Sequence, residues 1–269
     1  MNTNQVQILL TNDDGIQSPG LWAAAETLDP LGYITVAAPR EQSSGAGRSL
    51  PMTSDGIIQL ENVHVNGRSW PVHAVGGTPA QAVQHGALEI MPQKPNLVVS
   101  GINYGENLGV GITVSGTVGA VMEGAALGIP GLAVSLETEQ KHHYSYSTEV
   151  DFSAAAYFTA YFAERLLKYG LIPDVDLIKV DIPANATPDT PWEITGLSRA
   201  RFYEAILPER ESWEEPGIMG YRITDAWRNA EQDSDVYAVR VKKVVAVTAI
   251  SLDMTSRAAF KEIEDLLRE

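Results

Sequence analysis

Residues 6–15 read Val-Gln-Ile-Leu-Leu-Thr-Asn-Asp-Asp-Gly, an apolar run that breaks abruptly into an amide, two adjacent carboxylates and a glycine. A short, nearly continuous apolar run fits a strand buried on both faces, as in a parallel sheet, better than a half-solvated one. Such a strand needs helices above and below it, so the segment constrains the chain to a layered α/β architecture. The end of the run carries chemistry as well. In open α/β sheets, ligands bind outside the carboxyl ends of the strands, and Asp13 and Asp14 stand at that end. Two neighbouring anions repel each other, and a bound cation relieves the repulsion. The plain alternative is a strand followed by an Asp-Gly turn, which is common in loops.

The same alternation continues down the chain. Pro19–Leu28 reads as a helix with Ser18 at the N-cap and Pro19 at its first position. Residues 33–38 form a second strand, closed by Pro39. Residues 57–65 and 71–75 read as short strands, a hairpin or a sheet edge. Thr78 caps a helix from Pro79 to about Met91, and residues 96–101 form an apolar strand entering a glycine-rich loop. Ser115 or Gly116 opens a small-residue helix to about Leu127, and residues 132–136 form a strand. Residues 152–169 then read as a long amphipathic helix and Leu177–Ile182 as a further strand. The expected fold is a three-layer, Rossmann-like, doubly wound and mostly parallel sheet.

From about Pro183 the texture changes: residues 207–216 are rich in Pro, Glu and Trp, and residues 235–251 show a Val-rich alternation that predicts strands. Residues 255–268 predict a closing helix. The expected organisation is a catalytic core over 1–182 and a β-rich appendage over 183–269, with a β-hairpin and a terminal helix, serving oligomerisation. Its aromatics and its Val-rich run have few core partners in sequence and are expected to bury against a second subunit.

The chain has 34 acidic residues against 19 Lys and Arg, a net charge of -15. That balance opposes non-specific nucleic-acid binding, which needs a basic footprint. It also repels small anions at long range, so a phosphate ester needs a local cation to enter. The absence of cysteine excludes disulfides, zinc–thiolate sites and thiol nucleophiles. No apolar run approaches the ~18 residues that span a bilayer, and no secretory signal is visible. The expectation is a cytoplasmic protein without a membrane partner.

Three further loops follow strands or open a helix on the same edge of such a sheet. They are Ser43-Ser44-Gly45-Ala46-Gly47, the run from Ser100 to Gly109, and Ser115-Gly116-Thr117-Val118-Gly119. Together they complete a coherent set. Asp13 and Asp14 offer anionic oxygen, Ser44 a hydroxyl and Asn103 an amide oxygen, a donor set suited to Mg²⁺, Mn²⁺ or Ca²⁺. The helix opening at Ser115, Gly116 and Thr117 offers free backbone N–H groups and a positive dipole end for phosphate. Asn12 and Asn107 are candidates for orienting phosphate or water, and Asp13 and Asp14 for acid–base work. Taken singly each residue has a plainer role: Ser44 a loop serine, Asn103 a turn residue, Ser115 and Thr117 helix caps. Arg40 and Arg48 are placed either against a phosphate or on the surface. His142-His143 and the Glu-rich stretch near 209–215 read as solvated. There is no P-loop and no nucleophile elbow. An aspartyl-phosphate enzyme would want Asp-x-Asp after the first strand, where this chain has contiguous acids.

Leu-Leu-Thr-Asn-Asp-Asp-Gly (9–15), Ala-Pro-Arg-Glu-Gln-Ser-Ser-Gly (38–45), Gly-Gly-Thr-Pro (76–79), Val-Ser-Gly-Ile-Asn-Tyr-Gly-Glu-Asn-Leu-Gly (99–109) and Ser-Gly-Thr-Val-Gly-Ala-Val-Met-Glu-Gly (115–124) resemble, in order, the motifs of the SurE family of 5′/3′-nucleotidases. The resemblance covers roughly residues 6–136. It implies a metal-dependent phosphomonoesterase acting on nucleoside 5′-monophosphates, with 3′-monophosphates as a second class. It implies metal ligands at Asp13, Asp14, Ser44 and Asn103, one divalent ion per subunit (Mg or Mn), and a homodimer or homotetramer built by the C-terminal region. Ala80-Gln81-Ala82, Val110 and Val114 depart from the family pattern, at positions that bear on helix packing and the pocket wall. The alternatives are a phosphatase for short polyphosphate or a sugar phosphate, and a non-catalytic nucleotide- or metal-binding oligomer.

Overall fold

Strand β1 (Gln7–Thr11) is buried at every position. Ile8 and Leu10 enter one core and Leu9 the other, so each face of the strand meets a different helix layer. In the computed structural model, which describes residues 5–268, β1 lies near the middle of a sheet. Its neighbours are β2 (Tyr33–Pro39) and β5 (Leu97–Tyr104), both parallel to it. The hairpin of β3 (Ile58–Val65) and β4 (Arg68–Val75) extends the β2 side. Strands β6 (Gly131–Leu136) and β7 (Leu177–Ile182) extend the β5 side, each parallel to its predecessor.

Helices α1 (Pro19–Leu28) and α4 (Ser153–Tyr169) cover one face. Helices α2 (Pro79–His85) and α3 (Gly116–Ala126) pack together on the other. This is the three-layer, doubly wound arrangement the strand–helix alternation predicts. Ser18 stands at the cap position of α1, but its side chain makes no capping hydrogen bond. Thr78 caps α2 in a reciprocal box: Gln81 N donates to its hydroxyl and its own N–H donates to Gln81 Oε1. Gln81, one of the departures, therefore serves the helix end.

Two expectations change. Strand β5 does not stop at residue 101 but runs through Asn103 and Tyr104, with a register shift against β6 between Ser100 and Asn103. The Val-rich run 235–251 is a strand only over its second half. Ser234 caps a short helix at Asp235–Tyr237, α5, which continues as a π-helical turn over Ala238–Lys242. Val236 and Val239 are three apart and both buried against Leu108 and Phe202, so the same valines satisfy a helical spacing.

Beyond Ile182 the chain adds to the main sheet instead of leaving it. Strand β11 (Val245–Ile250) pairs antiparallel to β7, and β8 (Trp192–Thr195) pairs parallel to β11. Among the described residues nine strands form this sheet, and β9 (Tyr203–Ile206) pairs separately with β10 (Gly220–Ile223). The closing helix α6 (Phe260–Arg268) has no buried residue, and its Phe260, Leu266 and Leu267 are exposed. No described helix is long and apolar enough to cross a membrane.

Candidate active site

The sheet order runs β4-β2-β1-β5-β6. From β1 the chain winds first towards β2 and later, from β5, the opposite way. Loops leaving β1 and β5 therefore diverge, and the gap between them is the topological switch point where such sheets bind ligands. Asp13 and Asp14 follow β1, and Asn103 lies at the end of β5. A cavity of about 270 Å³ opens there, and Asp13, Ser44, Asn103, Asn107 and Ser115 are among its lining residues. Asp13, Ser44 and Asn103, distant in sequence, meet because the parallel strands β1, β2 and β5 deliver their C-terminal ends to one edge.

Both carboxylates are buried and individually held. Thr117 Oγ1 donates to Asp13 Oδ1 at 2.5 Å, and the backbone N–H groups of Gly116 and Thr117 also face that carboxylate. Burial nevertheless holds Asp13 above the usual carboxylate range, against these hydrogen bonds. Asp14 accepts from Tyr104 N at 3.3 Å and Gln42 Nε2 at 3.1 Å. Burial pushes Asp14 well up, and the adjacent Asp13 charge adds to the shift. Two buried carboxylates that disfavour each other's ionisation form a site a divalent cation would stabilise.

The neutral members fit the same ion. Asn103 Nδ2 donates to Gly105 O at 2.6 Å, which commits the nitrogen and leaves the amide oxygen as the available donor atom. Ser44 is exposed on the cavity rim, and its Oγ accepts from Gln42 Nε2 at 3.0 Å. Among the described residues no cluster of three or more His, Cys, Asp or Glu could hold a metal. Asp13, Asp14, Ser44 and Asn103 instead bring two carboxylates and two neutral oxygens to this edge of the sheet, oxygen atoms of the hard type that a divalent cation such as Mg²⁺ would accept.

Several sequence expectations are corrected here. Asn12 does not face the cavity: its amide donates to Gly15 O at 3.0 Å and accepts from Gly15 N at 3.1 Å. It closes the loop that presents Asp13 and Asp14. The α3 N-terminus is not an open cradle, since Asp13 occupies it. A Cβ on Gly116 would lie 2.7 Å from Asp13 Oδ2, so the glycine makes room for this carboxylate. Of the three residues there, Ser115 lines the cavity, while its hydroxyl caps the helix by accepting from Val118 N at 3.1 Å. Asn107 lines the cavity with its Nδ2 given to Ser135 Oγ at 2.8 Å. Arg40 pairs with Asp55 and Arg48 with Glu123, so neither reaches the cavity.

The structure also brings to the cavity residues that the sequence reading placed elsewhere or passed over. His143, expected on the surface, is only 8% exposed and lines the cavity. Glu106 lies inside the Asn-Gly motif, and burial, reinforced by Glu137 and Asp181, pushes its carboxyl up to about 7. Tyr144, Tyr203 and Tyr221 form an aromatic wall. Tyr203 and Tyr221 sit on the β9–β10 hairpin and Tyr144 in the loop after β6, segments without a motif, so only contacts between distant elements reveal the wall. Beneath the loop, buried Lys179 donates to Asp181 and, at 3.1 Å, to Asp235. Asp181 in turn accepts Asn107 N at 2.8 Å, and Asp235 accepts Gly109 N at 2.9 Å. This ion cluster fixes the backbone of the cavity loop from below.

The family model described as "Survival protein SurE" matches residues 8–204. The chain belongs to the SurE family. It is 39% identical over 268 residues to the 5′-nucleotidase SurE of Methanosarcina acetivorans, covering 97% of each chain. It is 40% identical over 266 residues to the 5′-nucleotidase SurE of Methanococcoides burtonii, covering 97% of this chain and 99% of that one. The crystal structure of the SurE protein from Aquifex aeolicus superposes with a TM-score of 0.77 at 31% identity, covering 97% of this chain and 99% of that chain. SurE similarity thus extends through the C-terminal region, beyond the motif-bearing half.

Proposed function

We propose that this chain is a divalent-metal-dependent 5′-nucleotidase that hydrolyses nucleoside 5′-monophosphates to nucleoside and inorganic phosphate. The observation that carries the reading is the meeting of Asp13, Ser44 and Asn103 in one cavity that Tyr144, Tyr203 and Tyr221 also line. Near-full-length similarity to relatives named 5′-nucleotidase SurE supports the same activity. The cavity's oxygen donors suit an ion and its phosphate. Its aromatic faces suit a base, with which they would stack.

Asp13, Asp14, Ser44 and Asn103 would hold one Mg²⁺ or Mn²⁺ per subunit. Bound there, the ion supplies charge neutralisation and Lewis-acid polarisation of the phosphoryl group. The protein's own residues do the positioning. Thr117 and the α3 N–H groups fix Asp13, Gln42 ties Asp14 to Ser44, and Asn12 shapes the loop between them. Neutral Ser44 and Asn103 keep the site's negative charge low enough to admit a phosphate dianion. The chain works in the cytoplasm as a homodimer or homotetramer, with the apolar face of α6 and the β9–β10 hairpin available to a second subunit.

A metal-supplemented screen over phosphomonoesters tests the activity. Nucleoside 5′-monophosphates should be turned over best, ahead of 3′-monophosphates, sugar phosphates and short polyphosphate. Preference for polyphosphate, or no turnover of any nucleotide, would contradict it.

A further inference from the structure

The side-chain nitrogen of Gln42 has three acceptors around it: His143 O at 2.7 Å, Ser44 Oγ at 3.0 Å and Asp14 Oδ1 at 3.1 Å. A backbone carbonyl and a carboxylate oxygen can only accept, so the nitrogen of the amide faces them and not its oxygen. That nitrogen carries two hydrogens, one fewer than the acceptors it serves. Asp14 and Ser44 belong to the candidate cation site, whereas His143 stands beside Tyr144 in the loop after β6.

His143 passes the contact on. Its ring stacks on Tyr221 with an interplanar angle of 12°, and its Nδ1 lies 2.7 Å from the Tyr221 hydroxyl. Gln140, on the same loop, donates to Tyr221 O at 2.9 Å. The ring also abuts Gly105, where a Cβ would lie 2.7 Å from Nε2, and Gly105 O is the acceptor of Asn103 Nδ2. His143 is therefore packed between the supports of Asp14, Ser44 and Asn103 and the tyrosine Tyr221 of the cavity lining.

We propose, building on the 5′-nucleotidase reading, that Gln42 is a positioning residue that couples cation binding to base binding. A carboxylate is a stronger acceptor than a neutral carbonyl and draws the amide hydrogens towards Asp14. With the Asp14 and Ser44 oxygens engaged by a cation, both are poorer acceptors, and the hydrogens go to His143 O. That bond then holds the loop around His143, and with it Tyr144 and Tyr221, in the arrangement that accepts a base. Coupling between two sites is reciprocal, so a bound base tightens the cation by the same factor.

The probes are Mn²⁺ and 5′-deoxyadenosine, which has the base and ribose but neither the phosphate nor the 5′ oxygen through which a nucleotide would touch the cation. Calorimetry gives the affinity for 5′-deoxyadenosine with and without saturating Mn²⁺. Electron paramagnetic resonance gives the affinity for Mn²⁺ with and without saturating 5′-deoxyadenosine. In the wild type each ligand should tighten the other by the same factor, about 5-fold or more. Gln42→Met keeps the length of the side chain and removes both N–H groups. There the factor should fall below about 2, while Mn²⁺ alone binds about 10-fold more weakly. Independent binding in the wild type overturns the proposal. So does a factor that survives in Gln42→Met, which would show that Gln42 supports the cation site alone. Should Gln42→Met fail to fold, Tyr221→Phe keeps the ring and removes the hydroxyl facing His143 Nδ1. The factor should fall there by about half or more, and an unchanged factor overturns the proposal. Failure of the nucleotidase reading looks different: the wild type then binds no Mn²⁺ or no 5′-deoxyadenosine at all, and the proposal falls with it.

Discussion

Thr117 Oγ1 donates to Asp13 Oδ1 over 2.5 Å, and the first turn of α3 thereby closes on a carboxylate carried by β1. The helix dipole and its free N–H groups favour an anion at this point. The anion already there is a side chain of the protein, so the first turn of α3 orients Asp13.

Gly116→Ala tests this arrangement. The added methyl would sit 2.7 Å from both Cβ and Oδ2 of Asp13, and helix propensity alone would favour alanine. Activity should fall about 100-fold, on the scale of losing a preorganised electrostatic contact, while thermal stability changes little. Steady-state kinetics and a melting curve check both halves, and normal activity would show that Asp13 is free to shift.

Lys179, Asp181 and Asp235 are buried together with one positive and two negative groups. Removing the cation leaves two uncompensated carboxylates. Lys179→Met should cost about 3–5 kcal/mol in urea unfolding, and Asn107 should lose its fixed place because its N–H rests on Asp181. A cost under about 1 kcal/mol would mean the carboxylates protonate or hydrate without penalty.

Much of this was legible in the sequence. The apolar runs at 7–11 and 97–99, each ending in polar or glycine-rich residues, predict both the parallel sheet and the edge on which Asp13 and Asn103 meet. Contacts between distant segments were not legible. His143 lies in a polar loop and looks solvated until Tyr221 and Gly105 pack around it. The Ser115 helix opening looks like a phosphate site because the sequence does not reveal that Asp13 fills it. Residues 235–242 carry valines that suit either a strand or a helix, and the Ser234 cap decides for the helix.

Glu106 gives a pH signature. Burial raises its carboxyl to about 7 from an ordinary value of 4.5. The folded state therefore holds a proton that the unfolded chain releases between those values, and stability falls as pH rises through about 7. Urea titrations from about pH 5 to pH 8 should show this loss, on the order of 3 kcal/mol for this group. Glu106→Gln should flatten the dependence; an unchanged slope would show that the carboxyl ionises freely.

The exposed Phe260, Leu266 and Leu267 predict an oligomer that depends on α6. Sedimentation should show at least a dimer, and the paired change Leu266→Glu with Leu267→Glu should shift it towards monomer without unfolding the sheet. A full-length chain that sediments as a clean monomer at micromolar concentration would contradict this.

The central claim is that buried Asp13 and Asp14 work as a pair because a divalent cation joins them. The most direct measurement is hydrolysis of adenosine 5′-monophosphate by the wild type in excess chelator, and again after adding Mg²⁺ or Mn²⁺, with Asp13→Asn alongside. Activity should drop at least about 100-fold in chelator, return with the metal, and stay low in Asp13→Asn at any metal concentration. Full activity in excess chelator would contradict the account.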